Sequence, residues 1–150
     1  MKKLTLVALL CCALVAAGTA AAALSPSQYR KQANAICLDM HQKLNRLAAP
    51  KTTKAKDVVP YFEHGFAITG AAIQKVRRLS PPASLAAGHK KVVSLILQQD
   101  TLLHRLLAQI KGGADVQKAL GAADATLTKL SNSETATWRK LGAAECAKNS

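Results

Sequence analysis

Apolar residues recur at spacings of three and four along four stretches of this chain, separated by proline, glycine and short polar runs. That spacing is the mark of amphipathic helices. In the first stretch Tyr29, Ala33, Ile36 with Cys37, Met40, Leu44 and Leu47 share one face, and Arg30, Lys31, Lys43 and Arg46 take the other. The pattern predicts a helix from Pro26 to about Ala48, with Ser25 placed to cap it and Pro26 suited to its first turn. Pro50 and the Lys/Thr-rich run from Lys51 to Lys56 predict a connection. The second stretch, from about Asp57 to about Leu79, carries Val59, Phe62, Phe66, Ile73 and Val76 as its stripe, with Pro60 in the first turn, where a missing amide proton costs little. Gly65 and Gly70 each lower its helix propensity by about 1 kcal/mol and invite close helix contact.

Ser80-Pro81-Pro82 breaks the chain before the longest stretch, Ala83 to Lys111, in which Leu85, His89, Val92, Ile96, Gln99, Leu103, Leu106 and Ile110 keep the rhythm. Gly112-Gly113 ends it. Asp115 is placed to open a fourth helix carrying Val116, Leu120, Ala123, Leu127, Leu130, Thr137 with Trp138, and Leu141, and Gly142 is placed to stop it. The middle of this last stretch, Ser131 to Thr137, is polar and interrupts the stripe. No strand-like alternation of useful length occurs and the connections are short. The predicted fold is therefore all-α, an antiparallel up-down-up-down four-helix bundle with Leu44, Phe66, Ile96, Leu103 and Leu127 in one core.

The segment before the first helix changes the picture of compartment. Lys2 and Lys3 precede an apolar run from Leu4 to Ala17 and small residues from Gly18 to Ala23, the layout of a secretion signal, which predicts residues 1–23 as a cleaved signal peptide and 24–150 as the bundle domain. The competing reading is an uncleaved anchor, since Leu4 to Leu24 is long enough to span a bilayer; the small-residue tail favours cleavage. Cys11 and Cys12 would leave with the signal. Cys37 and Cys146 then survive as an even pair in an oxidising compartment, where a disulfide can persist. In the predicted topology the first helix starts and the last ends at the same pole, so Cys146 can fold back onto Cys37. An intermolecular bridge and two free thiols are the alternatives.

The chain holds 21 Lys and Arg against 8 Asp and Glu, a formal net charge of +13; losing Lys2 and Lys3 with the signal subtracts two and leaves +11. Such a field favours anionic partners and disfavours self-association, so a monomer is expected. The competing account is a basic surface that only keeps the protein in solution. Arg77 with Arg78 and Lys90 with Lys91 flank the turn at Pro81-Pro82 and form a candidate anion-binding patch. Aromatics are few and not interleaved with the charges, so specific nucleic-acid binding is not expected.

Signposted chemistry is missing from the sequence, which has no CxxC, CxxCH, HExxH, Gly-rich phosphate loop or GxSxG. Asp100 and His104 sit four apart on one helix face, a spacing more often a surface ion pair than a metal site. The fourth helix has no histidine to face Met40 as a haem ligand, so Met40 reads as packing. His41 and His64 fall off the apolar stripes and read as solvated. Glu63 and Glu134 have no partner carboxylate nearby, which removes an acid and base pair. Glu134 interrupts the fourth stripe; it is either a polar contact inside the bundle or, after a small shift of phase, an exposed residue, and exposure is the plainer expectation.

The run YRKQANAICLDM (29–40), the Pro81-Pro82 pair before a Leu-rich helix and LGAAEC (141–146) together resemble small secreted helical proteins of high-GC Gram-positive bacteria with one cysteine in the first helix and one at the C-terminus. The resemblance spans nearly the whole exported chain and implies a disulfided bundle. It brings no catalytic residue. The expectation is a non-enzymatic protein, secreted or in the cell envelope, without cofactor or metal, binding an anionic envelope polymer, a membrane surface or another exported protein through its basic face. The alternatives are a carrier of a small ligand, haem or metal in the bundle core and a chaperone-like holdase.

Overall fold

The computed structural model describes residues 23–148, so the expected signal segment lies outside the described residues apart from Ala23. Four helices follow one another: α1 (Pro26–Leu44), α2 (Ala55–Arg77), α3 (Ala83–Lys111) and α4 (Val116–Leu141). They form an up-down-up-down bundle, and the described residues contain no strand.

The helix ends are set by local chemistry. Ser25 Oγ accepts from the Gln28 amide while the Gln28 side chain accepts from the Ser25 amide, a reciprocal cap whose loss costs about 1 kcal/mol. Asp115 caps α4 through the Lys118 amide at 2.8 Å. Gly142 ends α4 with φ +76°, a left-handed turn that favours glycine. α1 stops one turn earlier than its apolar pattern predicts. Arg46 and Leu47 donate to carbonyls three residues back, at Lys43 and Leu44, so the helix tightens and unwinds before Pro50. α2 runs about two residues ahead of its expected bounds at both ends.

Because α1 is short, the two ends of the bundle differ. At one pole Tyr29, Ala33 and Cys37 of α1 pack with Val76, Leu79, Val92, Trp138 and Leu141 and with Ala143, Cys146 and Ala147 of the tail. At the other, Val58, Leu106, Ile110, Val116, Ala119 and Ala123 of α2, α3 and α4 form a second cluster without α1. One continuous core was expected, with Leu44, Phe66, Ile96, Leu103 and Leu127 inside it; all five are only half-buried. Ile96 leans on the first cluster, Leu103 and Leu127 on the second, and Phe66 stacks on His104 with ring centroids 4.4 Å apart.

Gly65 and Gly70 do not mark close contacts either, since a side-chain carbon at either position would meet nothing within 4 Å. The close approach is at Gly88, where such a carbon would lie 2.7 Å from the Leu141 side chain, so α3 meets the last turn of α4 there. α3 and α4 make the most extensive helix pair, whereas α1 and α4 pack little along their lengths. The tail closes that seam. Arg30 Nε donates to the Leu141 carbonyl at 3.0 Å, and the Glu145 amide donates to Asn34 Oδ1 at 2.9 Å. The sulfurs of Cys37 and Cys146 are at disulfide-bonding distance, with Cα atoms 5.1 Å apart.

A central cavity with a half-buried carboxyl

Between the two clusters lies a cavity of about 290 Å³, reached by side chains from all four helices. Its size is at the lower edge of the range of small-molecule sites, roughly 300 to 1,000 Å³. Apolar walls come from Ile36, Met40 and Leu44 of α1, Ile73 and Val76 of α2, Ile96 and Leu103 of α3, and Trp138 of α4. Thr69, Gln99, Ser131 and Glu134 add polar groups. The cavity follows from the early end of α1 and the polar stretch of α4. Where the stripes of a bundle would interdigitate, α4 presents Ser131 and Glu134 instead of large apolar side chains.

Glu134 is the central feature of this site. Its Oε1 accepts from the Trp138 indole Nε1 at 3.0 Å, and its Oε2 accepts from the Gln99 side-chain amide. Exposure of Glu134 was the plainer sequence expectation, and the structure overturns it: α4 stays helical through its polar stretch, which turns residue 134 inward onto Gln99 of α3. Burial pushes the Glu134 carboxyl above its ordinary value, and the two donated hydrogen bonds pull the other way. Two further expectations shift with it. Met40 lines the cavity wall, and His41, expected to be solvated, is half-buried on the same lining.

A second polar pair sits deeper in the disulfide pole. The Tyr29 hydroxyl, fully buried, lies 3.0 Å from His89 Nδ1, and the two rings meet edge-on. Burial pushes the Tyr29 hydroxyl up to about 12 and pushes His89 down. A protonated phenol then donates to a neutral imidazole, which places the imidazole proton on Nε2.

Of the remaining sequence candidates, Asp100 is on the cavity lining, whereas the four basic residues stand apart from it. Arg77, Arg78, Lys90 and Lys91 are all exposed, with no ion pair to any of them among the described residues. His104 Nδ1 lies 3.4 Å from Asp100 Oδ1, with the imidazole exposed to solvent. Asp39 bridges α1 to α2 by accepting from Lys43 at 2.9 Å and Lys75 at 3.3 Å, and those two hydrogen bonds hold its carboxyl below the ordinary range. No group of three or more His, Cys, Asp or Glu residues among those described is arranged to hold a metal ion. No helix among the described residues is long and apolar enough to cross a membrane.

By fold and site the chain is a four-helix bundle with one cysteine pair and a carboxyl-bearing central cavity. No protein-family model matches it, and neither the curated proteins nor the solved structures contain a match.

Proposed function

We propose that this protein is a non-enzymatic carrier, acting outside the cytoplasm, that binds a small and mostly apolar molecule in the cavity between its four helices. The cavity itself carries the reading: open to solvent on one side, it combines apolar walls with a small set of convergent polar groups, as small-molecule sites do. Trp138 borders the cavity and is the chain's single tryptophan, so the molecule contains its own reporter. Titration with an apolar naphthyl probe should change Trp138 emission saturably at one site per chain. Leu103→Phe, which narrows the cavity, should weaken that binding while circular dichroism stays helical. A linear, unsaturable response, or one that Leu103→Phe leaves alone, would refute the carrier.

A second reading has its own support. Arg77, Arg78, Lys90 and Lys91 are exposed and without ion pairs among the described residues, as attraction to an anionic envelope polymer or membrane surface would need. Vesicles rich in anionic lipid should then bring the protein down at low salt and release it at high salt. Replacing the four cations by Gln should weaken the association. Unchanged binding after that replacement would refute the localised patch.

A further inference from the structure

A cavity built only for hydrocarbon has no use for Glu134. Glu134 is half-buried, and taking a carboxylate even partly out of water is costly unless it is hydrogen-bonded or paired with a counter-charge. This chain has cations in abundance, 21 Lys and Arg against 8 Asp and Glu, yet among the described residues none of them is placed on this carboxyl. Both contacts to Glu134 come from neutral donors, the Trp138 indole and the Gln99 amide. No Lys or Arg among the described residues pairs with it. Lys148, the one Lys or Arg on the lining, is engaged by Glu145 at 2.7 Å. A second carboxylate, Asp100, shares the lining. Two of the chain's few acids thus border this cavity while the formal net charge of the chain is strongly positive.

The two donors also fix how the carboxyl is held. A carboxylate has room for about four hydrogen bonds, and Gln99 and Trp138 take one on each oxygen, leaving acceptor capacity on both. Held in this way, it is prepared for a strong donor that arrives with its own positive charge, because charge-assisted hydrogen bonds are roughly twice as strong as neutral ones.

We propose that the cavity takes a cationic amphiphile, an alkyl ammonium in the simplest case, with the ammonium on Glu134 and the chain along Ile36, Met40, Leu44 and Leu103. This deepens the carrier reading and rests on it. The positive exterior does not forbid such a ligand, since exposed charges are screened over about 10 Å at ordinary salt while a buried contact is screened far less.

The test uses three ligands of equal chain length, decylamine, decanol and decanoate, each titrated at neutral pH below its micelle concentration and followed by Trp138 emission and calorimetry. Decylamine should bind at least about tenfold more tightly than decanol, with decanoate weakest. In the unaltered protein, decylamine should also move the NMR signals of the Trp138 indole N–H and the Gln99 amide more than decanol does. Glu134→Gln should abolish the difference between amine and alcohol. Decanol or decanoate binding as tightly as decylamine, or unmoved Trp138 and Gln99 signals, would overturn the cationic class while leaving the carrier standing. Failure of all three to bind saturably would overturn both. The ranking and the NMR shifts are read on the unaltered chain, so the test does not depend on the variant folding.

Discussion

The two poles of this bundle are built from the same helices by different means. At the disulfide pole four helices and the tail enclose Tyr29 and Trp138, the side chains are nearly all buried, and a covalent link fixes α1 to the end of the chain. At the far pole α1 is gone, and three helices close over small and medium side chains, Val58, Leu106, Ile110, Val116, Ala119 and Ala123. The connection 45–54 passes this end without contributing to the cluster. The cavity lies where one kind of packing gives way to the other. A cavity in the middle of a bundle thus needs no dedicated loop; it arises where one helix ends early and another turns polar.

The largest expected effect falls on the disulfide pole. Replacing Cys37 and Cys146 together by Ser opens a loop of 109 residues, for which the chain-entropy relation gives a loss of about 4 to 5 kcal/mol. The melting temperature should fall by roughly 10 °C or more. A drop of only a degree or two would show that helix packing alone holds this pole. Next is Ile110→Ala at the far pole. Ile110 is only 1% exposed, and truncation there should cost about 2 to 5 kcal/mol in a urea titration. Leu103→Ala, at a half-buried residue on the cavity wall, should cost clearly less. Equal losses would mean that the cavity wall is as tightly packed as the cluster.

Acid should act selectively on the disulfide pole through His89. Burial lowers its folded value below the ordinary 6.5, so on acidification the unfolded chain takes up the proton first. Its contribution to stability is full above about 6.5 and is lost as pH falls toward the folded value. Glu134 runs the opposite way. Its raised folded value means that stability declines as pH climbs from 4.5 through that value. His89→Gln should flatten the acid limb of a melting temperature against pH profile, and Glu134→Gln the limb above 4.5; an unaltered profile in either variant would refute that assignment. The smallest effect is a gain. Gly65→Ala and Gly70→Ala have open space for the added carbon, so each should stabilise α2 by about 0.5 to 1 kcal/mol. A loss at either position would reveal a helix contact absent from this structure.

What was legible in the sequence follows how local the cause is. The bounds of α3, set by Pro82 and Gly112, and those of α4, set by Asp115 and Gly142, depend on residues next to them in the chain and match expectation. The early end of α1 was hidden because Leu47 continues the apolar rhythm beyond the point where the backbone has already tightened. The single-core expectation failed because a stripe records which face of a helix turns inward, not whether the facing helix reaches that height. Glu134 was visible as an interruption. Its inward setting depends on Gln99, 35 residues away on another helix, and nothing in the spacing of α4 alone could supply that.

The pairing of Cys37 with Cys146 also bears on how the molecule would survive proteases. Nearly the entire described chain lies inside the covalent ring that this pairing closes. A single cut at the exposed Lys51 or Lys54, in the connection after α1, would sever the backbone and yet leave both fragments joined through sulfur. The nicked species would keep its size on a non-reducing gel and separate into two bands only on reduction. Unfolding would therefore not disperse the pieces, and refolding after damage would remain a unimolecular event.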